Sequence, residues 1–553
     1  MSDLLKSALV ALLLILLALA LNAGVFGASW RWDDTQILLH AHQYSIWQDF
    51  TRPEVWQQFS PANLTPLLIL SVEVDLILFG LNPVAFYLHQ VLALAAGAFM
   101  LFMCLRLWCN NFFAVIGAVL FLAGLPVMLV AEQLMTRHYA EGLVLALLAL
   151  YGFVRYLRTG QRSVLVLSVI MYALACAAKE VYVPLPALLL FLPEGGTRQR
   201  VRAVLPFFAV TVLYAVWRFY MLSSLSGGYA DSSSYLSAPF IAQVLQSFAG
   251  FPALLTGPRW PLAIFLYLAL LLGYLFIRRR TSWLSLLTMA LVLLPLAPLV
   301  SSPGITLADR YLFVVWAALS YSIAYLANTV CLSVLDHYGR PLAAAVLTVV
   351  PLLLILVLWQ SVPVRQTLAD VGKEFDVQGE FIWQQDASVG FVPSGNVLPA
   401  FWFVTGMRDF KAGLGAGTSP QPVVDDWYLA DSGVEQLFTW QRDCECMADI
   451  SAQVPQRLAE FESGLRADAP LTLRYAYQHG YFSWEFGPYP AGTYHVVSDV
   501  VGVIPAPPAG QLRATLADNA PFYLRYTSPE GWFTYSELQH IVRDGPEVSW
   551  SRE

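Results

Sequence analysis

LLKSALVALLLILLALALNAGVF, residues 4–26, carries polar side chains only at Lys6, Ser7 and Asn22. A helix needs about 20 apolar residues in a row to cross the hydrocarbon of a bilayer, and this run supplies them. It is longer than the apolar core of a typical export signal and leads straight into an acidic stretch, so it reads as a retained first span. Comparable runs recur near 84–105, 112–130, 139–157, 163–178, 180–193, 203–222, 260–277, 281–300, 311–331 and 342–361. The pair 163–178 and 180–193 is short and interrupted by Pro184 and Pro186. The chain of 553 residues is 58% hydrophobic and 12% charged, about half the charge of a soluble domain. A net charge of -7 argues against nucleic acid as a partner.

The expected fold is therefore a multi-span α-helical membrane domain of about eleven transmembrane helices over residues 1–362, with a long first outer loop at 25–83. Residues 363–553 read as a separate soluble module. Lys and Arg near the span ends set the orientation. Lys6, Arg106, Arg155, Arg158, Arg162, Arg198, Arg200, Arg202, Arg278, Arg279, Arg280 and Arg340 fall on one side. That side is cytoplasmic by the positive-inside rule, so the N-terminus is inside and the C-terminal module is extracytoplasmic, in the periplasm of a cell whose inner membrane holds the chain.

The same bookkeeping sorts the polar chemistry. Asp33-Asp34, Glu132-Gln133, Arg137-His138, Lys179-Glu180 and Asp309-Arg310 all fall at outer span ends. There the desolvation of a charge is much milder than at the bilayer centre. Either each is a solvated span end, or they converge on one outward cavity. Asp33 and Asp34 follow a Trp-Arg-Trp cluster in SWRWDDTQILLHA, residues 29–41. Neighbours on a helix point in different directions, so one acid can address a reacting group while the other orients it. Two close carboxylates raise the proton affinity of one of them, which suits a general base acting on a hydroxyl. Capping of the following helix is the plainer role, and both hold together. The aromatic segment after them, with Trp47, Trp56 and Phe59, fits a lid lying in the interface. Arg137, Lys179 and Arg310 suit a phosphate or pyrophosphate. Pairing of Lys179 with Glu180, and of Arg310 with Asp309, is the structural alternative.

These stretches resemble the GT-C glycosyltransferases, and within them the protein O-mannosyltransferase-like and TMTC-like branch. WDDTQILLHAHQYS is similar to the first-loop Asp-Asp motif of that group. SPANLTPLLILSVEVDLILFGLNPVAFYLHQVL resembles the segment leading into its second span. MLVAEQLMTRHYAEGLVLALLALYGFVRYLR, ACAAKEVYVPLPALLLF and LADRYLFVVWAALS resemble its Glu-then-Arg, Ser-Lys-Glu and Ala-Glu-Arg-Tyr stretches, in the same order. Thr65 stands where the family usually has Arg, Asp309 replaces a usual Glu, and there is no tail of repeats of about 34 residues.

The resemblance implies a membrane enzyme that moves a sugar, with inversion, from a polyprenyl-phosphate donor to an extracytoplasmic acceptor. That acceptor would be a surface protein such as a pilin, or a glycan or lipid of the envelope. It implies Asp33 as general base, with Asp34 as its partner or substitute. Arg137, Lys179 and Arg310 would hold the donor phosphate. Glu132, His138, Glu180 and Asp309 would shape the acceptor side or the pocket. Some branches of that family use a divalent metal; two acids are no argument for one here. A polyprenyl-glycan flippase is the alternative, although the ionisable groups lie at one surface and not at the midplane. A non-catalytic envelope binding protein would not need eleven spans.

The C-terminal module starts with a helical pattern and ends in alternating stretches: LTLRYAYQH, YFSWEFG, TYHVVSDVVGVI, PFYLRYTS and WFTYSEL. This reads as an α+β or β-sandwich domain, whose aromatics are more naturally core packing than sugar platforms. Cys444 and Cys446 are open to either a tight bridge or two free thiols.

Overall fold

The computed structural model describes residues 3–60, 62–192, 194–225, 310, 312–338, 340–394, 398–478, 481–500, 502–513, 519–542 and 545–552. The spans expected near 260–277 and 281–300, and Asp309, lie outside them. The chain forms two compact units. The first holds Met1–Ala28 and His40–Ala369; the second holds Ser29–Leu39 and Asp370–Glu553.

The first unit is helical. Its described helices are α1 (Asp3–Leu21), α2 (Asp34–Gln43, whose first residues belong to the second unit), α3 (Ile46–Thr51), α4 (Pro53–Phe59), α5 (Pro66–Phe79) and α6 (Pro83–Leu105). They continue with α7 (Asn111–Ala123), α8 (Leu125–Glu132), α9 (Arg137–Thr159), α10 (Arg162–Ala178), α11 (Leu185–Leu190) and α12 (Thr197–Leu222). Then come α13 (Phe313–Tyr338) and α14 (Arg340–Gln384), the latter running on into the second unit.

Among the described residues six helices are long and apolar enough to cross a membrane, or seven if the bent pair α7–α8 is one span. Their outer faces keep large apolar side chains exposed, among them Leu4, Leu213, Val216 and Phe219. A face of that kind suits lipid as its solvent. The expected span 180–193 is not a continuous helix: a 3-10 turn, Glu180–Tyr182, is followed by the six-residue α11. Pro184 and Pro186 withhold the N–H groups that a straight helix would need there.

The 53° bend between α7 and α8 has a visible cause. The Trp316 indole lies against the break and donates Nε1–H to the Phe121 carbonyl at 2.9 Å. The same N–H also lies 3.2 Å from the Leu120 carbonyl, so the indole holds the last turn of α7 at the break. A Cβ on Gly124 would fall 1.9 Å from that same Nε1. The loop between α1 and α6 is mostly helical. Trp47 is exposed as an interfacial anchor would be, but Trp56 is fully buried, with its indole N–H on the Asn63 carbonyl at 2.8 Å. A buried indole takes such a partner to satisfy its one donor.

The second unit pairs an α/β layer with two antiparallel sheets. In the first, β1 (Val389–Val392) lies between β2 (Gln421–Pro422) and β3 (Gln436–Gln441), both parallel to it, and β4 (Cys446–Asp449) closes antiparallel on β3. Helices α15 (Leu398–Gly413), α16 (Asp426–Ser432) and α17 (Val454–Gly464) accompany it. The other sheets share nine strands: β5 (Leu471–Gln478), β6 (Tyr481–Gly487), β7 (Thr493–Ser498), β8 (Gly502–Ala506), β9 (Ala509–Arg513), β10 (Pro521–Thr527), β11 (Phe533–Tyr535), β12 (Gln539–His540) and β13 (Val548–Arg552). They run β11-β10-β7-β8, with β12 on β10, and β13-β5-β6-β9.

Side chains alternate sides along a strand. Leu471, Leu473, Tyr475 and Tyr477 of β5 therefore meet Phe522, Leu524 and Tyr526 of β10 in one core with Phe482, Phe486 and Tyr494. The aromatics of the expected strands are core, in a fold that has both an α/β part and a sandwich. Cys444 and Cys446 are joined as a disulfide.

Gly124→Ala should destabilise the first unit through overpacking by about 1–3 kcal/mol. A lowered thermal midpoint of the purified protein in detergent, with the second unit's β-sheet signal unchanged, would show it.

Candidate active site

Arg137 opens α9 with its side chain fully buried. A guanidinium cannot shed its charge, so burial demands an acid and acceptors. Asp75 of α5 supplies the acid: Nη1 lies 2.5 Å from its Oδ2. Nη2 donates to the Phe86 carbonyl at 2.9 Å, and weaker bonds run to Gln90 Oε1 and Ser71 Oγ. Asp75 also faces His89 Nδ1 at 2.9 Å, and His89 Nε2 lies 3.5 Å from Glu141, whose Oε1 accepts from Ser71.

The turn that brings α6 back beside α5 is built by FGLNP. Gly80 adopts φ 59°, Asn82 accepts from the Val84 N–H, and Pro83 takes the first helical position. Gln90, also fully buried, donates to the Val130 and Gln133 carbonyls at the end of α8. Arg137 thus ties α5, α6 and α9 together. Sequence reading placed it at the donor phosphate; its guanidinium is instead spent on Asp75, Phe86, Gln90 and Ser71.

Lys179 follows α10. Its Nζ lies 3.2 Å from Asn63 Oδ1, 3.7 Å from Glu180 Oε2 and 5.3 Å above the Tyr139 ring. Glu180 is shared: its Oε1 pairs with Arg218 of α12 and accepts from the Leu64 N–H. Arg218 also donates to the Ala62 carbonyl at 3.0 Å. The loop before α5 is thereby fastened to the far ends of α10 and α12. Arg310 donates to Gln133 Oε1 at 3.1 Å. His138 is buried, its ring tilted against that of Tyr139 with the centroids 4.7 Å apart. Neither ring nitrogen makes a well-formed hydrogen bond among the described residues, although the Met135 carbonyl is close. Glu132 is the last residue of α8.

Asp33 and Asp34 belong to the second unit, by way of Arg31. The Arg31 guanidinium forks onto Asp376, Nε to Oδ1 at 2.9 Å and Nη2 to Oδ2 at 2.7 Å, and Gly372 leaves it room. Asp34 is buried and reaches back three residues to accept the Arg31 N–H at 2.9 Å. The Asp34 N–H donates in turn to the Arg31 carbonyl at 3.0 Å, so Asp34 closes the turn from both its backbone and its side chain. Asp33 is half-buried and is the more reachable of the two acids.

Sequence reasoning missed Asn63, Asp75, His89, Gln90, Glu141 and Arg218. The signal available was an ionisable residue inside an apolar run, which marks a function or a buried partner. Asp75, His89 and Glu141 each have that setting. No group of three or more His, Cys, Asp or Glu among the described residues is arranged to hold a metal.

No protein-family model matches the sequence, and no curated protein matches it. Two solved structures of ArnT from Cupriavidus metallidurans are similar to the chain. The one bound to undecaprenyl phosphate shares 12% identity and covers 77% of this chain and 92% of its own, with a TM-score of 0.35. The one in the apo state shares 13% identity and covers 80% and 94%, with a TM-score of 0.37. Superpositions at that level do not establish a common fold, and the readings below stand on this chain's own residues.

Breaking the Asp75–Arg137 pair from one side leaves a buried charge alone, at about 3–5 kcal/mol. Asp75→Leu and Arg137→Met should each lower the thermal midpoint sharply. The double variant should recover much of the loss, and a double variant no better than the singles would contradict the pairing.

Proposed function

We propose that the chain is an integral membrane glycosyltransferase that draws its sugar from a polyprenyl-phosphate donor, undecaprenyl- or dolichyl-linked. The observation that carries the reading is the gathering of two cations about the junction of α8 and α9, with Lys179 Nζ 5.3 Å over the Tyr139 ring and Arg310 donating to Gln133 Oε1 at 3.1 Å, beside apolar helices long enough to lie among lipid tails. A site of this kind accepts a phosphate whose chain stays in lipid. Fixed cations stabilise the charge that grows on a leaving phosphate as the glycosidic bond breaks. The resemblance set out above supports the same chemistry.

In this reading Lys179 and Arg310 hold the phosphate, with Arg137 bracing the helices from which α9 presents His138. Asp33 takes the proton from the acceptor hydroxyl, which attacks the anomeric carbon from the face opposite the phosphate and inverts it. Asp34 fixes the turn that carries Asp33. Glu132, His138 and Glu180 shape the pocket. The acceptor is a hydroxyl of a surface protein or an envelope glycan or lipid outside the cytoplasmic membrane. The N-terminus is cytoplasmic and the second unit extracytoplasmic, following the distribution of Lys and Arg.

The test is mass spectrometry of surface glycans and glycoproteins from cells carrying the wild-type chain, Asp33→Asn, Lys179→Ala or no chain. Loss of one sugar from a single class of acceptor is expected without the chain. Asp33→Asn should cut turnover by about 10²–10⁴-fold, the range for a lost general base, while the protein stays folded. Identical profiles with and without the chain would sink the proposal.

A further inference from the structure

Lys179 meets a neutral partner on the loop between α4 and α5, and that loop is pinned at neighbouring residues. The Ala62 carbonyl accepts from Arg218 Nη2 at 3.0 Å. The Asn63 carbonyl accepts the Trp56 indole N–H at 2.8 Å, and the Asn63 N–H donates to Ser60 Oγ at 3.3 Å. The Leu64 N–H donates to Glu180 Oε1. Trp56 and Arg218 are buried, so the anchors are themselves held by packing. A connecting loop is ordinarily the more mobile part of a fold. Here the backbone is fixed on both sides of one side chain, Asn63, whose Oδ1 lies 3.2 Å from Lys179 Nζ.

A carboxamide has an acceptor at one end and two donors at the other, whereas an ammonium only donates. The contact with Lys179 therefore decides which end faces the cation: Oδ1 turns toward Nζ, and Nδ2 is left for another partner. Asn63 is half-buried, and its Nδ2 makes no hydrogen bond among the described residues; unlike Glu180 Oε2, it is not sealed from the surface. By the bond lengths of an amide, Nδ2 is within about 6 Å of the ammonium. Two oxygens of one phosphate bridge a gap of that size, one taking the ammonium and the other the amide N–H.

We propose that Asn63 is a phosphate-binding residue: its Oδ1 sets the Lys179 ammonium, and its Nδ2–H donates to the same phosphate of the polyprenyl donor. This rests on the glycosyltransferase reading above. Lys179 supplies charge, and Asn63 supplies a donor of fixed direction; a hydrogen bond to an ionised oxygen is the stronger kind. As the anomeric C–O bond breaks, both electrons pass to the phosphate oxygen. A donor held in place beforehand meets that growing charge without reorganising. The amide keeps its own protons throughout. Being neutral, it also adds no third positive charge beside Lys179 and Arg218, which already share Glu180.

The test uses full-length protein in lipid nanodiscs, titrated with undecaprenyl phosphate, the product form of the donor, and with undecaprenol, which lacks the phosphate. Asn63→Asp keeps an oxygen for Lys179, so the thermal midpoint should hold, but it replaces both amide donors by an acceptor. It should weaken phosphate binding about 10–100-fold, the loss expected for a hydrogen bond to a charged group, and leave undecaprenol binding unchanged. The contact itself is read from the wild-type protein, isotopically labelled at asparagine nitrogen. The side-chain amide signal that vanishes in Asn63→Ala should move on adding undecaprenyl phosphate and stay on adding undecaprenol. A signal that stays put with the phosphate bound, or an Asn63→Asp protein that binds as wild type does, would reduce Asn63 to a tie for the loop. If Lys179→Ala weakens binding in that same series, the phosphate site survives and only the Asn63 assignment falls. If wild type itself does not bind undecaprenyl phosphate, the glycosyltransferase reading fails and takes this proposal with it.

Discussion

A guanidinium buried among apolar helices must be answered by an acid, and in the first unit most of the local architecture follows from that demand. Arg137 stands at the start of α9 with no exposed surface, and Asp75 answers it from α5. The remaining donors of Arg137 reach Phe86 and Gln90 on α6, and Gln90 in turn caps carbonyls at the end of α8. One charge therefore fixes the meeting of four helices. It fixes as well the direction in which the next residue, His138, leaves the helix. In an aqueous protein this pair would be replaceable by apolar side chains of similar volume. Here it also sets where the neighbouring polar groups stand.

The helices were legible because apolar runs of about 20 residues have one plain physical meaning. Residues 4–24, 84–105 and 203–222 are each close to a helix of the structure. The break at 180–193 was announced by Pro184 and Pro186, and the alternation in LTLRYAYQH and PFYLRYTS became β5 and β10. The roles of the charged residues were less legible. A cation at a span end looks the same in sequence whether it waits for a ligand or grips a buried acid. Arg137 and Lys179 have similar settings in the sequence. Only the fold distinguishes them, since Arg137 faces Asp75 across 62 positions of chain, whereas Lys179 faces the side-chain oxygen of Asn63 and a carboxylate already engaged by Arg218.

Distance along the chain also hid the setting of Asp33 and Asp34. A local reading assigns Ser29–Leu39 to the loop that follows the first span. In the structure that segment is part of the second unit, because Arg31 forks onto Asp376, 345 residues later. Trp32, held at φ 50°, packs its ring on Phe375 at 4.7 Å, and Asp34 closes the turn behind them. A non-glycine residue at positive φ is sustained only where surrounding contacts fix it. The aromatic, the ion pair and the turn supply those contacts, leaving Asp33 on a fixed backbone with the less buried carboxylate.

Glu180 shows why a cation next to an acid in sequence need not be cancelled by it. Its carboxylate is bonded at one oxygen to Arg218 and to the Leu64 N–H, while Lys179 stands 3.7 Å from the other. One carboxylate thus serves two cations, one at each oxygen. The ring of Tyr139 beneath Lys179 stabilises the cation without accepting its charge. Asn63 offers a neutral oxygen, which orients the ammonium and leaves its charge intact. These neighbours fix where the ammonium stands, and a cation held in place beforehand spends no reorganisation on meeting a developing negative charge.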